Sequence, residues 1–98
     1  MVEIHKVDLS LPSFENSYRR LTPDIKQQAK EAIKKLLSCG KSPFPKSLCF
    51  EKMKGYKNPN IYAIHITPNN SHKASFEIIK NVAVFRQIGT HKELDRAP

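Results

Sequence analysis

The segment Ile61–Ile88 has the sequence IYAIHITPNNSHKASFEIIKNVAVFRQI, in which apolar residues recur at alternate positions. This alternation predicts three strands, Ile61–Thr67, His72–Ile79 and Val82–Ile88, because successive side chains of a strand point to opposite faces of a sheet. Pro-Asn-Asn and Lys-Asn stand between the runs and favour turns. Short turns between strands predict an antiparallel meander.

The two faces of the predicted meander differ in chemistry. One face is apolar and carries Tyr62, Ile64, Ile66, Ala74, Phe76 and Ile78. The opposite face carries His65, Thr67, Lys73, Ser75 and Glu77, and Arg86 joins it if Phe85 points inward. Two helices can bury only one face of a sheet, so we expect the apolar face inside and the polar face to form an open, basic surface.

Upstream of the meander, the apolar spacing becomes helical. Phe14, Tyr18 and Leu21 recur at i, i+4 and i+7 and predict a short first helix. Thr22-Pro23-Asp24 predicts the start of a second helix, because Thr can cap, Pro suits the first helical position and Asp complements the positive helix end. Gly40 predicts its end. The apolar stripe of this second helix contains Ile25, Ala29, Ile33, Leu36 and Leu37.

Together these elements predict a single α+β domain over residues 1–98, a length that fits one domain. Val2–Leu9 predicts a strand before the helices, and Lys41–Pro45 contains two prolines and predicts a loop. We expect the two-helix hairpin to pack on one face of a small antiparallel sheet, with about three strands after the helices. The tail Gly89–Pro98 is short and polar.

The charge balance indicates a polyanionic partner, with RNA as the leading candidate. Lys and Arg number 17 against nine Asp and Glu, which gives a net charge of +8 and a pI near 9.7. Such a field attracts phosphate backbones or acidic proteins. No apolar run approaches the roughly 20 residues that span a bilayer, and Met1–Lys6 does not resemble a signal peptide. We therefore expect a cytoplasmic protein without membrane contact.

The two cysteines, Cys39 and Cys49, are too few and wrongly spaced for a zinc site. We expect both to be reduced thiols, although their spacing leaves a disulfide open. We also expect no metal and no cofactor.

The polar face contains the groups that RNA cleavage by the 2′-hydroxyl requires. One group takes the proton of the 2′-hydroxyl, another protonates the leaving 5′-oxygen, and cations stabilise the charged pentavalent state. Histidine suits both proton transfers because it titrates near neutral pH. His65 lies on the polar face, and a turn after Gly89-Thr90 can bring His91 to the same surface. This scheme requires no metal.

Several segments in the same order resemble the RelE/ParE toxin superfamily, the small toxic partners of bacterial toxin–antitoxin pairs. Phe14–Ile25 is similar to the opening helix, turn and second helix of the family. Phe50–Tyr56 resembles its K-L-K-G segment, and Ile61–Ile66 with Lys73–Ile78 resembles its central strand pair. Val84–Leu94, with Gly89-Thr90-His91, resembles the Gly-Thr-His ending of the YafQ-like branch. The resemblance covers nearly the whole chain.

The resemblance implies a ribosome-dependent endoribonuclease that cleaves mRNA. In the YafQ-like branch the histidine of the Gly-Thr-His stretch is catalytic, which implies that His91 is the general acid. His65, followed three residues later by Pro68, matches a second family histidine, while Asn69 stands where the family has aspartate. Glu51 falls near a third family histidine. The base or orienting group is therefore His65 or Glu51.

The resemblance also implies roles for several cations. Lys73 replaces a family arginine, keeping its charge without its bidentate geometry, and would hold the scissile phosphate with Arg86. Lys52, Lys54 and Lys57 would engage ribosomal RNA or message. The implied partners are the ribosome, mRNA and a cognate antitoxin, which would lay a helix on the helical face or add a strand to a sheet edge. Two alternatives stay open: a ParE-like gyrase inhibitor, and a non-catalytic, degenerate basic module that binds RNA or protein.

Overall fold

The structure is a computed structural model that describes residues 2–53, 60–69, 71–96 and 98. Within these residues, five strands form one sheet in the order β1-β5-β4-β3-β2. The helices are α1 (Pro12–Arg19), α2 (Pro23–Cys39) and α3 (His91–Arg96). The strands are β1 (Lys6–Asp8), β2 (Glu51–Lys52), β3 (Tyr62–His65), β4 (His72–Ile79) and β5 (Val82–Thr90). The predicted α+β class is confirmed.

The second helix begins and ends where its sequence predicts. Thr22 is the N-cap, and its Oγ1 accepts a hydrogen bond from the Ile25 N–H at 3.4 Å. Pro23 occupies the first helical position, and Gly40 closes the helix in the left-handed conformation with φ of 74°. The predicted apolar stripe is buried or partly buried except at Leu37, which is exposed.

The meander is antiparallel as predicted, and β4 has the predicted bounds. β1 is shorter than predicted and runs parallel to β5, with Lys6 opposite Val82. The parallel pairing arises because the helical hairpin carries the chain across the sheet between these strands. β2 was not predicted and pairs Glu51 with Ala63 at the far edge. The sheet is therefore mixed.

The helices cover the predicted apolar face of the sheet. Ile64, Ala74 and Phe76 are fully buried and belong to one core cluster with α2. Phe76 packs against Phe85 with ring centroids 4.8 Å apart, and Phe14 of α1 meets Phe85 at 5.8 Å. This contact sets α1 over β5.

A β-bulge decides the direction of Arg86. Ser75 pairs with Gln87 while Phe76 pairs with Phe85, so Arg86 is an additional residue of β5. Phe85 points into the core, and the Arg86 guanidinium reaches Glu77 on the opposite face at 3.4 Å. The bulge therefore keeps Arg86 on the predicted face.

The opposite face is not the open surface that the alternation predicted. Thr67, Lys73 and Ser75 are buried, and Glu77 is partly buried. At Lys73 the cover comes from elements distant in sequence, since Glu51 of β2 and Asp95 of α3 both contact its ammonium group. The tail prediction was also incomplete, because β5 continues to Thr90 and a helix follows.

Both cysteines are free and exposed. Among the described residues, no helix combines the length and the apolar character that crossing a bilayer requires.

Candidate active site

The helix α3 starts directly at the end of β5 through a capping box. The Thr90 N–H donates to Glu93 Oε1 at 2.9 Å, and the Glu93 N–H donates back to Thr90 Oγ1 at 3.2 Å. The backbone and side-chain hydrogen bonds from Thr90 lower the pKa of Glu93 below its ordinary value of 4.5. A Cβ at Gly89 would lie 2.9 Å from Glu93 Oε1, so glycine leaves room for this carboxylate. The capping box thus fixes the direction of α3.

His91 is the first residue of α3 and contacts three other residues. Its N–H donates to the Ser71 carbonyl at 3.0 Å, which ties the start of α3 to the β3–β4 loop. Its Nδ1 lies 2.8 Å from Asp95 Oδ2, one helical turn further on. Its ring lies 5.7 Å from the ring of His65, at an interplanar angle of 73°. The two predicted histidines therefore meet at one end of the sheet.

Lys73 lies behind these histidines as a buried cation. Its side chain is 2 % exposed, and its Nζ lies 2.7 Å from Glu51 Oε1 and 3.0 Å from Asp95 Oδ1. Burial alone lowers the pKa of Lys73, but the hydrogen bonds and charges of Glu51 and Asp95 outweigh it and raise the pKa above its ordinary 10.5. The hydrogen bond from Lys73 in turn lowers the pKa of Asp95 below 3.8. Lys73 is thus a charged group held by two carboxylates.

The structure brings together His65, His91, Lys73 and Glu51 of the predicted site residues. Asp95 completes this cluster and was not predicted. Its signal is nevertheless in the sequence: Thr90 and Glu93 form the Thr-x-x-Glu pattern of a capping box, and on the resulting helix Asp95 shares a face with His91.

The remaining predicted site residues lie apart from this cluster or outside the described part of the chain. Arg86 contacts Glu77, farther along β4 than Lys73. Lys52 is exposed on β2, next to Glu51. Lys54 and Lys57 fall outside the described residues. Among the residues described, no group of three or more His, Cys, Asp or Glu side chains is placed to hold a metal ion.

The fold matches solved structures over nearly its whole length, although no protein-family model and no curated protein matches the sequence. Against the RelB–RelE antitoxin–toxin complex of Methanococcus jannaschii, the identity is 19% and the TM-score 0.67, covering 95% of this chain and 99% of that chain. Against the E. coli DinJ–YafQ toxin–antitoxin complex, the identity is 16% and the TM-score 0.71, and the match covers 93% of this chain and 98% of that chain. Against YafQ from E. coli strain BL21(DE3), the identity is 14% and the TM-score 0.68, and the match covers 92% of this chain and 97% of that chain.

These matches define the class of fold as that of small RelE-like toxins. The chain has the RelE-like fold, and the resemblance to the RelE/ParE superfamily predicted from its sequence is confirmed at the level of the fold.

Proposed function

We propose that this protein is the toxin of a toxin–antitoxin pair and that it cleaves mRNA on the ribosome. The observation that carries the proposal is the approach of His65 and His91 to 5.7 Å between ring centroids, with both rings partly accessible. Two histidines at this separation can act on opposite sides of one phosphodiester. This arrangement matches the paired acid and base that transfer to a 2′-oxygen requires.

In the proposed reaction, His65 takes the proton of the 2′-hydroxyl and the 2′-oxygen attacks phosphorus. The bond from phosphorus to the 5′-oxygen breaks, and His91 protonates that oxygen as it leaves. The products are a 2′,3′-cyclic phosphate and a 5′-hydroxyl. We assign the base to His65 rather than to Glu51, because the His65 ring lies against that of His91, whereas the Glu51 carboxylate faces the buried Lys73 ammonium.

Arg86 lies apart from the histidines but on the same outer face of the sheet, and we assign the phosphate contact to Arg86 rather than to Lys73. The Arg86 side chain is about one-third exposed, and its contact with Glu77 is long at 3.4 Å. An incoming phosphate can replace such a contact and accept the bidentate hydrogen bonds that guanidinium offers. Lys73 is buried and already donates to two carboxylates, so it does not reach substrate in this arrangement.

Electrostatics support a nucleic-acid substrate. The net charge of +8 attracts the ribosome and its message, and Lys52 is exposed on the edge strand beside the cluster. Cleavage should therefore weaken as salt increases, because phosphate contacts release counterions.

The helical side of the molecule supports an antitoxin partner. A groove of about 590 Å³ lies among β1, α1 and α2, with Phe14 and Leu37 among its apolar residues. Lys26, Lys30 and Lys34 line it as well, and the described lining residues include a single carboxylate. An acidic amphipathic segment would match both the apolar and the cationic parts. Two of the similar structures are complexes of a toxin with its antitoxin.

Primer extension on message translated by purified ribosomes tests the nuclease. Discrete cleavage sites should appear with the wild-type protein, and His91→Ala should reduce their rate by roughly 10²–10⁴-fold, the usual contribution of one positioned acid. His5→Ala is the matched control, because His5 is exposed and contacts Glu3 rather than the cluster. It should cleave like the wild type.

Two outcomes contradict the proposal. Absence of cleavage by folded wild-type protein excludes the nuclease, and undiminished cleavage by His91→Ala excludes the assigned acid. Inhibition of gyrase supercoiling by wild type and His91→Ala alike would instead favour the ParE-like alternative.

A further inference from the structure

We propose that Lys73 is a positioning residue: its buried ammonium group holds the Asp95 carboxylate, and that carboxylate holds His91 in one orientation and one tautomer. The inference rests on the proposed function, since it concerns the same histidine. Its test, however, does not require RNA cleavage.

The first step is the burial of Lys73. An ammonium group with 2 % of its side chain exposed is stable only if anionic partners replace the lost water. Glu51 and Asp95 supply them from opposite sides, one from the edge strand β2 and one from α3. Both carboxylates are about half exposed, so Lys73 is the buried centre around which they are arranged.

The second step is the use of both oxygens of Asp95. Oδ1 accepts from Lys73 Nζ at 3.0 Å, while Oδ2 lies 2.8 Å from His91 Nδ1. A carboxylate bound through both oxygens loses its freedom to rotate. Asp95 therefore presents a fixed acceptor to His91, and this contact requires a proton on Nδ1.

The third step concerns the remaining ring nitrogen. With the Nδ1 proton directed to Asp95, proton exchange with a substrate falls to Nε2 of His91. The capping box and the hydrogen bond from the His91 N–H to Ser71 hold the backbone of the same residue. The backbone and the side chain of His91 are thus fixed by independent contacts. Lys73 acts on the side chain, through Asp95.

Nuclear magnetic resonance of the folded protein tests this chain of contacts directly. Long-range ¹H–¹⁵N spectra, recorded where the ring is neutral, should show His91 of the wild type with its proton on Nδ1. The carboxyl carbon of Asp95 should titrate below the ordinary pKa of 3.8, because Lys73 stabilises its charged form. His5 serves as the internal control, since its contact with Glu3 does not involve Lys73.

Lys73→Met removes the cation while keeping a long apolar side chain. The pKa of Asp95 should then rise towards 3.8, and neutral His91 should become a mixture of tautomers. Lys73→Arg keeps the charge and should keep both signatures close to those of the wild type. Asp95→Asn keeps Lys73 but removes the carboxylate, so neutral His91 should again become a mixture of tautomers. The signals of His5 should be unchanged in all three variants.

The proposal is overturned if folded Lys73→Met leaves the Asp95 titration and the His91 tautomer unchanged. If that variant does not fold, the wild type decides. The proposal is also overturned if the ammonium protons of Lys73 exchange with water as fast as those of exposed Lys30. It is overturned as well if the neutral ring of His91 carries its proton on Nε2 instead of Nδ1. Since no RNA is used, a failed nuclease assay leaves these results standing.

If the nuclease is confirmed, kinetics add a second signature. Lys73→Met should lower kcat with little change in KM, and Lys73→Arg should restore part of the rate. A residue that bound the substrate phosphate equally in the ground state and the transition state would raise KM when it is removed.

Discussion

The two faces of β4 are both largely buried, yet they are buried in different ways. Towards the helices, Ala74 and Phe76 pack against apolar side chains, a stabilisation that needs no particular direction. On the other face, Lys73 is buried because two carboxylates contact it at 2.7 and 3.0 Å. The inner face therefore supplies most of the stability, whereas the outer face specifies where individual charges lie.

The largest expected effect comes from weakening the inner face. Phe76→Ala should lower the free energy of unfolding by about 3–5 kcal/mol, through lost burial and a cavity. Urea denaturation measures it. Ile79→Ala at the end of the same strand is the control, because Ile79 is 50% exposed, and it should change stability by less than about 0.5 kcal/mol. If Phe76→Ala and Ile79→Ala lost similar amounts of unfolding free energy, the inner face would not be the main source of stability.

A smaller effect is expected from the outer face. Lys73→Met should lower the free energy of unfolding by about 1–3 kcal/mol, because charged hydrogen bonds are lost. The half-exposed Glu51 and Asp95 regain water, which limits the loss. The triple variant Glu51→Gln, Lys73→Met, Asp95→Asn should recover part of the stability, since it leaves no unpaired charge. A triple variant less stable than Lys73→Met would show that the carboxylates stabilise the fold without Lys73.

The capping box of Thr90 and Glu93 joins the outer face to α3. It should contribute about 1 kcal/mol to the free energy of unfolding, the usual value for an N-cap. Because folding lowers the pKa of Glu93, its contribution is complete above the ordinary value of 4.5 and is lost as the pH falls through the lowered value. Glu93→Gln should therefore reduce stability at neutral pH and flatten its decline in acid. Thermal unfolding between pH 2 and 7 measures this, and an unchanged acid limb would contradict it.

The smallest effect is expected at the contact between Arg86 and Glu77. A partly exposed pair separated by 3.4 Å should contribute less than about 1 kcal/mol, and salt should reduce that contribution further. Glu77→Gln, compared with the wild type in low and high salt, measures it. If Glu77→Gln lost more unfolding free energy than this and salt did not alter the loss, the pair would behave as a buried interaction, like that of Lys73.

Most of the fold was predictable because its signals are local. The cap at Thr22, the left-handed Gly40 and the alternation along β4 each depend on neighbouring residues. The parallel pairing of β1 with β5 and the two-residue β2 have no comparable local pattern. The alternation also indicates which face is polar but not whether that face is exposed. Lys73 is buried by Asp95, 22 positions away, and no periodicity reports such a contact.

The candidate site was predictable in part. The resemblance brought His65 and His91 to one place, and their rings do meet in the structure. It assigned Lys73 to the substrate, whereas the structure buries its ammonium between two carboxylates. Asp95 was not predicted because the tail was described only as short and polar, although the Thr-x-x-Glu pattern at Thr90 and Glu93 is typical of a helix start.

The pairing of β1 with β5 has a consequence for synthesis. Lys6–Asp8 find their partners in Val82–Val84, which are synthesised long after them. While the polypeptide emerges from its own ribosome, β1 has no strand beside it and the hairpin has an incomplete sheet to cover. His91 and Asp95 emerge later still. The histidine cluster therefore cannot assemble before α3 has been synthesised and has left the ribosome.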